Sequence, residues 1–221
     1  MNLVRPKCRA RLSAEDFAFI QASLSRSAED SVALKALLLD PEVLDSILDQ
    51  EELFKAVQDR TQTLQISPHL YFYLLVRKTL LGANLDDREL TDYVASVLVD
   101  FCREDKEGQL FPNLKAPMRY LVDIVAQIEK SDYYHRFFLY AFLGNQTLFL
   151  SGLFPNHIRN REQRRAAPGI RYYESMGRSH FKAARNHPLA KEFGMQVLYD
   201  DLYQTFHDTR VALNELSEKL L

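Results

Sequence analysis

The chain of 221 residues is 47% hydrophobic and 26% charged, and 30 acidic side chains against 28 basic ones leave a formal net charge of -2. A chain of that length buries roughly 70% of its unfolded surface without staples, so general disorder is excluded, and only seven Gly and eight Pro with no Gly-X-Y period exclude collagen-like and low-complexity classes. The two cysteines, Cys8 and Cys102, form no CxxC, which excludes a zinc knuckle and a disulfide framework and makes a reducing cytoplasm the expected location.

In chain order, Arg5, Lys7, Arg9 and Arg11 precede the first acid at Glu15, and the stretch lacks the apolar run of a secretory signal. Residues 1–12 therefore read as a basic N-terminal arm in front of a helical domain, 13–221. Ser13 and Ser27 each stand three residues before a carboxylate, the pattern of a capped helix start. Asp40-Pro41 and Ser67-Pro68 predict two further starts, each a capping side chain followed by proline where its missing N–H costs nothing. Leu90, Tyr93, Val94, Val97, Leu98 and Phe101 fall on one helical stripe, and Leu121, Ile124, Val125 and Ile128 repeat the pattern.

Phe137 to Phe154 is apolar on nearly every face, but Asn145, Gln146 and Thr147 interrupt its centre, so a buried core helix is expected rather than a membrane span. Two stretches, Glu104–Pro117 and Pro155–Gly169, carry the prolines and glycines of long loops. The first is a candidate subdivision near 104–117, although Phe111 and Leu114 inside it look like anchors. The last helix keeps Leu202, Phe206, Thr209, Leu213, Leu216 and Leu220 in steps of four and three, a seam expected to pack inside the protomer, which predicts a monomer or a weak homodimer. No stretch shows strand alternation, so the expected fold is all-α, a multi-helix bundle in a single compact domain.

Signatures of chemistry are sparse. GxxxxGK[ST], GxGxxG and GxSxG are absent from the sequence, and Ser179-x-x-Lys182 lacks the companion motifs of an SxxK enzyme. Asp132-x-x-His135 is a single carboxylate-x-x-His unit where a di-iron site needs two. The His207-Asp208 pair is similar to the dipeptide of the HD phosphohydrolases, but no Asp follows Asp208 to complete that metal set. Asp86 to Asp92 resembles the aspartate-rich motif of prenyl diphosphate synthases over seven residues. It lacks the following arginine pair, and the second candidate motif, Asp200 to Gln204, ends in Gln. A cap by Asp86 or Asp87 on the helix running to Phe101 accounts for the first string more simply. No catalytic residue, metal or cofactor is expected.

One feature stands above this background. From His157 to Lys191 nine basic residues face two acids, a local charge of +7, while the rest of the chain carries -9. Arg171, Arg178, Lys182 and Arg185 share one helix face, and Gly177, His180 and Ala184 lie on a neighbouring face suited to close helix packing. These residues predict an interaction or regulatory module that docks an anionic partner, a nucleic acid, a nucleotide or an acidic protein, through Arg159, Arg161, Arg164, Arg165, Arg171, Arg178, Lys182 and Arg185. An overall pI near 6.3 argues against a dedicated DNA binder. Two alternatives compete. The segment can pair with the chain's own residues 13–60, which hold eleven acids and four bases. Or the bundle can be an enzyme or small-molecule binder with a Tyr/His/Arg-lined pocket, for which Asp123, Tyr140, Asn145, Gln146 and His180 are the candidates.

Overall fold

The structure, a computed structural model, describes residues 3–58, 66–107 and 121–220. Among these residues it is all-α, with a single 3-10 turn at Arg9–Arg11 and twelve helices: α1 (Ala14–Leu24), α2 (Ala28–Leu37), α3 (Pro41–Leu48), α4 (Glu51–Gln58), α5 (Pro68–Gly82), α6 (Arg88–Glu107), α7 (Leu121–Lys130), α8 (Tyr133–Leu153), α9 (Pro155–Arg165), α10 (Ile170–Asn186), α11 (Pro188–Glu192) and α12 (Gln196–Leu220).

The predicted starts are real caps. Ser13 Oγ accepts from Asp16 N while Asp16 Oδ2 accepts from Ser13 N, a reciprocal box at the head of α1. Ser27, Asp40 and Ser67 cap α2, α3 and α5, with Pro41 and Pro68 in the first turns of the last two. The aspartate-rich string is also a cap: Asp87 Oδ1 accepts from Glu89 N at 2.8 Å and Leu90 N at 2.9 Å. Asp132 does the same for α8 by accepting from His135 N, and its carboxylate also holds the His135 ring. Asp132 and His135 are thus joined to each other at a helix end.

The described residues divide into two compact units, Pro6–Val99 and Asp100–Leu221 with Met1–Arg5, and the division falls inside α6. It lies just before the candidate subdivision near 104–117; positions 108–117 of that subdivision, with Phe111 and Leu114, lie outside the described residues.

In the first unit the arm is built into the packing. Cys8 is fully buried, its N–H donates to Asp92 Oδ1 at 2.6 Å, and Lys7 N donates to Ser96 Oγ. This explains why α6 is buried from Leu90 to Val99 on every face rather than along the predicted stripe alone. Asp16, also buried, accepts from both the N–H and the hydroxyl of Ser67, so one carboxylate serves the starts of α1 and α5. Arg9 binds Asp45 and Asp92, Arg88 binds Asp49, and Arg77 binds Asp49 through two N–H groups and Asp86 through a third. Burial pushes the Asp49 carboxyl up, but the bonds from Arg77 and Arg88 outweigh it and hold the group below the usual carboxylate range.

The second unit is organised on α8. It buries Phe137, Leu139, Ala141, Leu143 and Leu148 together with Asn145, Gln146, Thr147 and Ser151, as its lack of a polar face predicts. Glycines set how closely its neighbours approach. A Cβ on Gly144 would stand 2.8 Å from the Phe181 ring of α10, and one on Gly152 would stand 2.9 Å from Leu213 of α12. On α10, a Cβ on Gly177 would overlap the Phe206 ring and Thr147 Oγ1. The carbonyls left over at the end of α8 are met from α12: Asn214 Nδ2 donates to Ser151 O and Gly152 O, and Ser217 Oγ donates to Leu153 O. The seam residues Leu202, Phe206, Thr209, Leu213 and Leu216 are buried within the protomer. Among the described residues no single helix is long and apolar enough to cross a membrane.

The expected loop at Pro155–Gly169 is instead mostly helix. Pro155 occupies the first turn of α9, which leaves α8 at 90° and runs to Arg165 before Ala166 turns left-handed at φ 49°. A proline that ends one helix is equally suited to begin the next, and the apolar anchors of α9 are only Pro155 and Ile158, too few to show as a periodic stripe.

The glycine contacts generate a paired prediction. Gly177→Val forces the Phe206 ring and Thr147 to move and lowers stability by about 2–3 kcal/mol through overpacking. Gly82→Ala, where a Cβ meets nothing within 4 Å, raises it by up to about 1 kcal/mol. Thermal and urea unfolding of the two variants measure both.

Candidate anion-binding face

The eight basic residues singled out from the sequence lie on α9 and α10. Arg159, Arg164, Arg165, Arg171, Arg178 and Lys182 are exposed, and Arg161 and Arg185 are half-buried. Arg159 reaches only its neighbour Asn156, at 3.2 Å. Arg164, Arg165 and Arg171 have no carboxylate partner among the described residues. Arg178 and Lys182 are held differently: both cations lie over the Tyr203 ring of α12, at 5.2 Å and 5.6 Å from its centroid, and Arg178 Nε also donates to Tyr203 O. Arg185 Nη1 stands 3.0 Å from Asp200 Oδ1.

The two acids of the segment differ. The Glu162 carboxylate stands where a Cβ on Gly169 would lie, near the residue that begins α10 without any side-chain cap. Glu174 is engaged by His207 Nδ1 on one oxygen and lies 3.6 Å from Arg210 Nε on the other. The stretch from α9 into α10 therefore shows most of its cations outward while Glu174 is taken up by His207 and Arg210. Tyr172 follows Arg171 on α10 and is 39% exposed.

The ion pairs of the acidic stretch are made with other partners: Asp45 with Arg9, Asp49 with Arg77 and Arg88, and Glu51 with Lys78. Ser179 donates to Ser175 O while the Lys182 ammonium sits on Tyr203. His207 is exposed and bound to Glu174.

The candidate pocket residues are only partly brought together. Tyr140 and His180 face one another with ring centroids 6.0 Å apart. Asn145 and Gln146 are buried on α8, and Gln146 Oε1 accepts no hydrogen bond. Asp123 is exposed on α7, whose inward side is Leu121, Ile124 and Ile128. His180 Nδ1 lies 2.7 Å from Met176 O, so it carries the proton and Nε2 is left as an acceptor. Among the described residues no group of three or more His, Cys, Asp or Glu gathers as a metal site.

Sequence reasoning missed Tyr203, Glu174, His207 and Arg210 as parts of this face. Their contacts span 21 to 36 positions along the chain, and no local pattern announces them. Comparison adds no relative: no family model matches the chain, and no curated protein or solved structure is significantly similar to it.

Burial lowers the His180 pKa below its ordinary 6.5, against the opposing pull of the Met176 carbonyl. With the folded value depressed, the unfolded chain takes the proton first. Stability is therefore full above about pH 6.5 and declines as the pH falls from there toward the folded pKa of His180. A proton-detected titration places His180 below 6.5, and His180→Gln removes that part of the pH dependence.

Proposed function

We propose that this chain acts, in a reducing cytoplasm, as a non-catalytic docking module that meets an anionic partner through the basic face of α9 and α10. The observation that carries the reading is that Arg159, Arg164, Arg165 and Arg171 extend to solvent without a carboxylate partner among the described residues, while Glu174 is engaged by His207. The chemistry of the face favours phosphate over an acidic protein. Seven of its eight cations are arginines, the side chain suited to two-pronged phosphate contacts. Its outward positions on α9 are Asn156, His157, Arg159, Asn160, Glu162, Gln163, Arg164 and Arg165, which lack the apolar anchors that dominate protein interfaces.

The test uses the full chain with a labelled DNA duplex, a single-stranded RNA of the same length and a polyglutamate peptide, each titrated across a salt series. Binding to nucleic acid is expected to weaken with a log-log slope of roughly -0.9 per phosphate neutralised on the duplex and roughly -0.7 on the single strand. Arg164→Ala, Arg165→Ala and Arg171→Ala together reduce the slope by about two to three units. The melting temperature stays nearly unchanged, because exposed charges contribute little to stability. Binding of polyglutamate alone identifies an acidic protein partner. Absence of binding to any probe at low salt, with a lowered melting temperature in the triple variant, would falsify the docking reading in favour of pairing within the chain.

A further inference from the structure

Residues 32–39 read Val-Ala-Leu-Lys-Ala-Leu-Leu-Leu, with Lys35 the only polar side chain. Such a run belongs in a core, yet α2, which holds most of it, buries none of its residues. Leu38, at the end of α2, is buried, and Leu34 is half-buried. Val32 is 73% exposed, Leu37 48% and Leu39 85%, and Ala33 and Ala36 are exposed with them. These five share the outward side of the helix. Val32 and Ala36 stand one turn apart, as do Ala33 and Leu37, and Leu39 N donates to Ala36 O, a 3-10 turn that stacks Leu39 over Ala36. Single exposed apolar residues are ordinary, but five contiguous ones form a patch of the kind that marks an interaction site. At ten residues α2 is also shorter than a helix that stands alone in water. It is held by its Ser27 cap and by the Gln21 side chain, which donates to Ser31 O and Ser31 Oγ.

The charges around the patch define what covers it. Glu29 and Asp30 precede it in the first turn of α2, and Asp40 and Glu42 follow it; all four are exposed, and none is paired with a cation among the described residues. The bases alongside are Arg26 and Lys35, two against four. An anionic lipid surface is repelled by such a frame, and a second copy of the chain brings the same excess of carboxylates toward it. A helix with one apolar stripe and Lys or Arg at its edges meets both demands. Its stripe covers Val32, Leu37 and Leu39, its cations reach the four carboxylates, and the small side chains of Ala33 and Ala36 leave room for its backbone to approach. We propose that α2 is the docking surface for a cationic amphipathic helix of a partner protein, laid along Val32, Ala36 and Leu39 with its Lys and Arg side chains set against Glu29, Asp30, Asp40 and Glu42. This partner is opposite in charge to the one met by α9 and α10, so the surface stands independently of the basic face.

The test titrates the full chain with a labelled Leu/Lys peptide that forms an amphipathic helix, with its Leu/Glu counterpart and with vesicles of mixed neutral and anionic phospholipid, while sedimentation velocity of the chain alone reads self-association. The Leu/Lys peptide is expected to bind and to slow hydrogen exchange in α2, and the Leu/Glu peptide to do neither. Val32→Ser with Leu39→Ser weakens binding by on the order of tenfold or more, the effect of burying about one aliphatic side chain. Glu29→Gln with Glu42→Gln weakens it several-fold and flattens its salt dependence. Both double variants keep the parent melting temperature, because the substituted side chains are exposed. No binding of the Leu/Lys peptide overturns the proposal, as does equal binding to the parent and to the Val32→Ser, Leu39→Ser protein. A dimer that this variant dissociates overturns it in favour of a second copy, and vesicle binding that the variant loses overturns it in favour of a membrane surface.

Discussion

The second unit depends on one constraint: from Phe137 onward α8 has no polar face, and most of its circumference must be covered by its own chain. A helix of this kind has no solvent face to orient it, so its neighbours and their distances decide the packing. Gly144 admits the Phe181 ring and Gly152 admits Leu213, while Gly177 on α10 lets Phe206 and Thr147 close in from α12 and α8. These approaches fix the rotation of α10. Once Tyr173, Gly177, Phe181 and Ala184 are inward, Arg171, Arg178 and Lys182 have only the outward face left. The basic surface is thus a consequence of where the small residues lie.

The first unit solves a different problem with charge. Its carboxylates are spent on helix starts and guanidinium groups: Asp16 on two helix ends, Asp87 on a third, and Asp45, Asp49 and Asp92 on Arg9, Arg77 and Arg88. Breaking such a buried pair on one side leaves a charge without a partner, which costs far more than the pair contributes when whole. The acidic excess of residues 13–60 is in part the raw material of this framework.

What the sequence made legible was whatever local geometry dictates. Ser13, Ser27, Asp40, Ser67 and Asp87 cap helices because an oxygen at that position has one nearby use. The burial of Phe137 to Leu153 and the packed side of α10 followed from periodicity alone. What stayed hidden was tertiary. The ion pairs of Arg9, Arg77 and Arg88 join residues 9 to 83 positions apart, α9 carries too few apolar anchors to show a stripe, and Tyr203 became a seat for two cations only through the crossing of α10 and α12. The candidate pocket failed to assemble fully for the same reason: Asp123 shares α7 with the residues that point inward but lies on its other side.

Native-state hydrogen exchange tests the central claim most directly, because it reads whether α8, α10 and α12 open as one body. If α8 dictates the arrangement, the slowest amides of these three helices exchange with the same free energy, that of global unfolding of the second unit, while α9, anchored only by Pro155 and Ile158, exchanges through a smaller local opening. Amides of α10 that exchange through a separate, lower-energy opening while α8 stays protected would contradict the account, since the basic face would then be positioned by something other than the α8 core.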